Sequence, residues 1–162
     1  MHWLLGLEPS TESLVVLMRA IVQHFLHASD APDQEEAQRL RLMISSQLDD
    51  GEFARLIYGK VADWFAPVFT ASLERAVAAG DASRIGTEPL NLFWFAHHTL
   101  LMMALGRLSA VPSLSYGNAA DLERQVCEFI LRGIGLNETV IASQLDRELS
   151  LVPEQPVTAE GG

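Results

Sequence analysis

Two adjacent histidines, His97 and His98, are the side chains best suited to chemistry in this chain. Neighbouring side chains on a helix diverge by about 100°, so one imidazole could face a ligand pocket while the other faces a partner subunit. A buried imidazole needs a hydrogen-bond partner, and Asn91 or Tyr58 could supply it. The alternative interpretation makes each histidine a hydrogen-bonded core residue with a structural role.

His24 and His27 raise the question of a metal site, because histidines at i and i+3 can share an ion with further ligands such as His97 and His98. His27 lies beside Gln23 on the polar side of its predicted helix, so we predict no metal and no cofactor.

The sequence does not indicate catalysis either. The chain has no serine–histidine–aspartate order at a nucleophile elbow, no phosphate-binding glycine loop and no carboxylate pair in an obvious setting.

Large aromatic and methionine side chains are a second group of candidates. Aromatic rings offer wide apolar surfaces to a ligand, and methionines fill irregular gaps in adaptable pockets. The alternative interpretation assigns each of them to the core. The candidates are Trp64, Phe65, Phe69, Phe93 and Trp94 with Met18, Met43, Met102 and Met103.

The charge balance restricts the partners of the chain. Eleven Lys and Arg against 21 Asp and Glu give a net charge of −10, and Lys60 is the only lysine. Nucleic acids and anionic membranes are held through Lys and Arg, so we expect this chain by itself to bind neither.

The lone Cys127 cannot form an intramolecular disulfide, and the first residues lack a signal-peptide pattern, so we expect a cytoplasmic location.

Apolar periodicity indicates the elements that position these side chains. The 162 residues, 49% apolar, fit one domain with one core. Residues 1–10 are predicted to be a linker, 11–149 the helical domain and 150–162 a disordered tail. No segment alternates as a strand would, and we predict helices over 11–28, 33–49, 52–80, 88–108 and 119–133, with a weaker sixth over 137–149.

Two of these helices have unusual features. Pro67 lies inside the long third helix, where it removes a backbone donor and should produce a kink near Asp63 and Trp64. The fourth helix contains eighteen uncharged residues, 89–106, which just reach the length of a membrane span. Because histidines and Asn91 lie within it, we predict a helix buried in protein instead. Protein must then cover a second apolar face, made of Leu92, Phe95, Thr99, Met102 and Met103.

The order of the helices resembles the C-terminal domain of TetR/AcrR-family transcriptional regulators, which have a long kinked helix, a helix covered on both sides and a helix ending in a glycine-bearing turn. Short sequence segments are similar too. The stretch 39–58 resembles the family's second regulatory helix and the start of the next. Leu-Glu-Arg-Ala-Val-Ala-Ala-Gly-Asp at 73–81 with Thr-Glu-Pro-Leu at 87–90, and Phe-Ile-Leu-Arg-Gly-Ile-Gly-Leu at 129–136, resemble later phrases.

The resemblance implies an all-α, antiparallel bundle of five to six helices that forms a homodimer and binds a small, largely apolar effector. In the family, effectors lie among helices corresponding to the first four here. The implied effector pocket comprises Met18, Met43, Tyr58, Trp64, Phe65, Phe93, Trp94, His97, His98 and Met102. The fourth and fifth helices would form the dimer interface through Leu101, Leu105, Leu108, Leu122, Val126, Phe129, Ile130 and Gly133.

The chain departs from the family at its start. Full-length members open with a helix-turn-helix that carries a Tyr-x-x-Phe-like phrase before a lysine, and nothing like it precedes Ser10. We therefore expect DNA contact only through a helix-turn-helix absent from this chain. The expected function is the ligand-sensing and dimerisation domain of a TetR-type repressor. The alternatives are a stand-alone helical binding or interaction module without DNA contact, and a small helical metal-dependent enzyme.

Overall fold

A computed structural model describes residues 4, 6–30, 35–109 and 113–149 of the chain. The described residues form six helices, which confirms the all-helical class predicted from apolar periodicity. Apart from the start of α2, every helix end lies within two residues of the predicted one. The start predicted at Asp33 and the tail at 150–162 lie outside the described residues. The helices are α1 (Thr11–Asp30), α2 (Glu35–Leu48), α3 (Glu52–Ala79), α4 (Pro89–Leu108), α5 (Ala119–Gly133) and α6 (Glu138–Leu149).

Helix α1 lies at the centre of the bundle and packs against α2, α3, α4 and α5. Its apolar side chains recur at helical spacing and are almost fully buried, each adding about 1.5 to 3 kcal/mol of hydrophobic stabilisation. Leu4, within the segment predicted to be a linker, is also fully buried in this core. The buried apolar face of α1 includes Leu14, Leu17, Met18, Ile21, Val22 and Phe25.

Local residues set both ends of helix α3, through a side-chain hydroxyl at its start and a glycine at its end. The hydroxyl of Ser46, a buried residue of α2, accepts hydrogen bonds from the backbone N–H groups of Phe53 and Ala54, which have no helical acceptor at this end. Gly80 ends the helix in the left-handed region, at φ 79°. The helix continues through Pro67, whose missing N–H leaves the Asp63 carbonyl without its helical donor. The kink itself stays a prediction.

Helix α4 is buried on one broad face and open on the other. Among the five side chains predicted to need a second cover, Leu92 is buried, but Phe95 and Met102 are each 64% exposed. Within the described part of a single copy, an apolar strip of α4 therefore remains uncovered. None of the helices in the described ranges is both long and apolar enough to cross a membrane. The buried face consists of Leu92, Phe93, Ala96, His97, Leu100, Leu101 and Ala104.

A short backbone clamp joins the end of α3 to the turn between α5 and α6. Ala82 and Leu136 form an isolated antiparallel bridge, and the N–H of Ser83 donates to the carbonyl of Gly135 at 2.8 Å. Gly135 has φ 101°, and a β-carbon there would overlap with the Ser83 carbonyl oxygen. Glycine is therefore required at this position for both its conformation and its lack of a side chain.

Candidate ligand cavity

The first four helices surround a cavity of about 440 Å³. This volume falls within the range of small-molecule sites, which are concave and mostly apolar with a few polar groups. Every one of the four helices contributes to the wall. The lining residues are Ile21, His24 and Phe25 of α1, Glu36, Arg39, Leu40 and Met43 of α2, Phe53, Ile57, Lys60, Val61, Trp64 and Phe65 of α3, and Phe93 and His97 of α4.

The inner wall of the cavity is apolar and aromatic. Phe25 of α1, Met43 of α2, Phe65 of α3 and Phe93 of α4 are all buried while also lining the cavity. Helical spacing aligns them with further lining residues, because side chains three or four positions apart share a face. The inner wall can therefore accept apolar surface from a ligand without rearranging the helices.

His97 is the polar group of the inner wall, and it is only 6% exposed. Its ring lies among other rings, with centroids 5.3 Å from Phe25 and 5.7 Å from Trp94. Within the described residues its Nδ1 atom has no hydrogen-bond partner. Burial is the main cause that lowers the pKa of His97 to about 4, and the neighbouring imidazoles of His98 and His24 contribute to the same shift. The ring is therefore neutral near pH 7.

The two adjacent histidines lie in different environments, because neighbouring side chains on a helix point in different directions. His98 is exposed and stacks on Trp94, with ring centroids 6.1 Å apart, so it is not a core residue. The two predicted hydrogen-bond partners are not used. Asn91 is exposed, and Tyr58 touches His97 through its ring while its hydroxyl accepts a hydrogen bond from Gln47.

His24 is a second imidazole of the cavity wall, contributed by α1. The residue is exposed at the cavity, yet the protein around its ring removes water from it, and this desolvation lowers its pKa. The carboxylate of Glu36 partly opposes that shift. His27 is exposed and does not line the cavity. Among the described residues, no three His, Cys, Asp or Glu side chains come close enough together to hold a metal ion.

The exposed lining residues, which form the mouth of the cavity, come mostly from α2 and α3. Arg39 of α2 and Lys60 of α3 are lining residues that remain exposed, and Trp64 is 47% exposed beside them. Arg39 also forms an ion pair with Glu35, one turn earlier on the same helix. The charged groups of the wall therefore lie at its outer end, and the inner end is uncharged.

The structure brings together five of the ten residues predicted for the effector pocket: Met43, Trp64, Phe65, Phe93 and His97 line the cavity. The other five do not line it. Met18 is buried in the core, Tyr58 and Trp94 are half-buried in the ring cluster around His97, and His98 and Met102 are exposed on α4.

Sequence reasoning missed most of the α2 and α3 wall, although helical spacing could have found it. Counting by three and four residues back from Met43 reaches the other α2 lining residues, and the same count from Trp64 reaches those of α3. The search for aromatic and methionine side chains passed over aliphatic and charged ones. The missed residues are Ile21, His24, Phe25, Glu36, Arg39, Leu40, Phe53, Ile57, Lys60 and Val61.

The residues predicted for a dimer interface divide by exposure. Leu101, Leu122, Val126 and Ile130 are buried in the core of a single copy, so a second copy would not reach them. Their spacing marks the inner faces of α4 and α5, because helix-to-helix packing within one chain uses the same periodic pattern as packing between chains. Leu105 and Leu108 are half-buried, while Phe129 and Gly133 are exposed.

Comparisons of the chain with protein-family models, with curated proteins and with solved structures found no match. The resemblance to TetR/AcrR regulators therefore depends on the order of the helices and on the short sequence segments quoted above.

Proposed function

We propose that this chain binds a small, largely apolar molecule in the cavity formed by α1 to α4, as the ligand-sensing and dimerisation domain of a TetR-type repressor. The observation that carries the proposal is the cavity itself. It is about 440 Å³ in volume, and its inner wall is apolar and aromatic. Among the described residues of that inner wall, the polar group is the neutral imidazole of His97. The sequence resemblance supplies the regulatory context.

Signalling in this proposal is a shift between two arrangements of the helices. A ligand that touches four helices at once stabilises whichever arrangement gives it the better contacts. Helix α3 is the candidate moving part, because Pro67 removes one of its backbone hydrogen bonds directly beside Trp64 at the mouth. In a complete regulator, this change would alter the separation of two DNA-binding heads.

The proposed homodimer forms through the uncovered strip of α4, with Phe95 and Met102 at its centre and Phe129 of α5 as a further exposed apolar residue. A second copy is the proposed occupant because the strip is uncharged and lets two acidic chains meet without placing like charges against each other. Two chains of net charge −10 repel each other, and α4 presents no charged residue between Glu88 and Arg107. Contact through this strip keeps the acidic surfaces apart while burying apolar side chains.

The cavity assignment is tested by filling the cavity. In Ile57→Trp, a half-buried lining residue becomes an indole that occupies the space offered to a ligand. We expect the neutral dye phenylnaphthylamine to bind roughly tenfold more weakly to this variant, as measured by its fluorescence titration. The matched control is Leu56→Trp, at the exposed neighbouring position outside the cavity, which should bind as the wild type does. Equal binding by both variants would contradict the cavity assignment.

A stand-alone binding module without DNA contact is the second candidate, and the net charge of −10 favours it. The deciding observation is the DNA sequence upstream of the Met1 codon. An in-frame helix-turn-helix there supports the regulator, and its absence supports the module.

A further inference from the structure

We propose that the ligand of this cavity is an amphipathic carboxylate, whose anionic head lies at Lys60 and Arg39 and whose apolar tail occupies the inner wall. This inference rests on the proposed function, because it presumes that the cavity binds a small molecule. It adds the sign of the ligand's charge and the direction in which the ligand enters.

The position of Lys60 is the first observation. Lys60 is the only lysine in a chain with 21 acidic residues, and it lines the mouth of the cavity. Within the described part of the chain, no carboxylate forms an ion pair with it. An ammonium group is a strong donor to a carboxylate and has no acceptor capacity, so a ligand anion suits it and a ligand cation does not.

The remaining charges of the mouth also favour an anion. The ion pair with Glu35 engages one nitrogen of Arg39, and a guanidinium has five N–H donors, so further donors remain for a ligand oxygen. Among the described residues of the lining, Glu36 is the one acidic side chain, and its charge acts on the imidazole of His24. A ligand anion therefore meets two cationic side chains and two carboxylates, Glu36 and the Glu35 that is paired with Arg39, in a chain where acidic residues are almost twice as numerous as basic ones.

The uncharged inner wall sets the orientation of the ligand. Placing a carboxylate beside buried Phe65 and Phe93 would remove it from water without a charged partner, which is strongly unfavourable. His97 does not change this, because its ring is neutral near pH 7. An apolar tail buried there keeps the head at the mouth, where Lys60 and Arg39 remain exposed to solvent.

The experiment compares three probes with the same tail: decanoate, decanol and decylamine, each titrated by calorimetry against the wild-type chain. We expect decanoate to bind most tightly and decylamine least tightly. Lys60→Met keeps most of the aliphatic length and removes the charge. It should weaken decanoate binding roughly fivefold, as expected for a partly exposed ion pair, and leave decanol binding unchanged.

Two further variants fix the sign of the effect. Glu36→Gln removes the opposing carboxylate and should tighten decanoate binding. Arg55→Met removes a positive charge from the same helix as Lys60 but outside the cavity lining, and it should leave all three affinities unchanged.

The outcomes separate this inference from the proposed function. If decanol and phenylnaphthylamine bind but Lys60→Met leaves decanoate binding unchanged, the charge assignment is overturned while the cavity remains a binding site. Tightest binding of decylamine would also overturn it, in favour of a ligand cation at Glu36. If none of the apolar probes binds, the proposed function itself fails.

Discussion

At the scale of single residues, His97 shows how burial converts a titratable side chain into a neutral polar one. Its ring packs against Phe25, Tyr58 and Trp94, and this environment excludes the water that would stabilise an imidazolium. A neutral imidazole can lie in an apolar wall at neutral pH at a modest cost. Protonation would place a charge in the same wall, so acid should disturb the cavity.

The first prediction concerns the dependence of stability on pH. The pKa of His97 is about 4 in the folded chain against an ordinary value of 6.5, so the unfolded chain takes up more protons between these values. The free energy of unfolding should fall as pH drops from 6.5 towards 4. His97→Leu should remove about 2 kcal/mol of this fall, as measured by urea unfolding at pH 7 and at pH 4.5.

The control for this prediction is Phe69→Leu, which loosens the buried core at a ring that is paired with Phe93 and not with His97. That variant should be less stable at both pH values and should keep the full pH dependence. The role assigned to His97 is excluded if His97→Leu loses as much stability in acid as the wild type does.

At the scale of elements, the clamp between 81–83 and 135–137 fixes where α3 ends relative to α5 and α6. Besides the Ser83 bond, the N–H of Asn137 donates to the Asp81 carbonyl at 2.9 Å, and its side chain donates to the Gly80 carbonyl at 2.7 Å. The clamp therefore holds one end of the helix whose other half lines the cavity.

The second prediction tests Gly135 in this clamp. Gly135→Ala forces a side chain into the left-handed region and towards the Ser83 carbonyl, so the free energy of unfolding should fall by about 1 to 3 kcal/mol. The measurement is chemical denaturation followed by circular dichroism. Gly133→Ala is the matched control, because a β-carbon there has open space at the end of α5 and should stabilise the helix by up to about 1 kcal/mol. Equal effects at both glycines would refute the clamp's role.

At the scale of the whole molecule, the acidic net charge and the apolar strip of α4 act in opposite directions. Repulsion between two acidic chains disfavours association, whereas burial of Phe95 and Met102 favours it. The balance depends on ionic strength, since salt screens the repulsion and leaves the apolar contact intact.

The third prediction concerns this association. The wild-type chain should sediment as a dimer, and the double variant Phe95→Glu, Met102→Glu should sediment as a monomer because it places charges within the contact. Leu56→Glu, a charge added to an exposed apolar residue of α3, should leave the dimer intact. A wild-type chain that is monomeric in both low and high salt would contradict the proposed interface.

The positions of the helices could be predicted from the sequence alone, because helix ends depend on local signals. Helical apolar spacing, Pro89 at the start of α4 and Gly80 after α3 act within a few residues of the chain, so they predict boundaries without knowledge of the fold. Side-chain type, read together with the family resemblance, predicted five lining residues of the cavity. It could not separate Met43, at the cavity wall, from Met18, in the closed core, since both are buried apolar side chains.

Which helix faces meet and which remain open depends on how the helices pack in three dimensions. Packing against α1 buries Leu101, Leu122 and Ile130 inside one copy and leaves Phe95 and Met102 outside, although all five are large and apolar. It also brings Lys60 to the mouth of a cavity whose inner wall contains His97. These juxtapositions join residues far apart along the chain, and local sequence patterns carry no information about such distances.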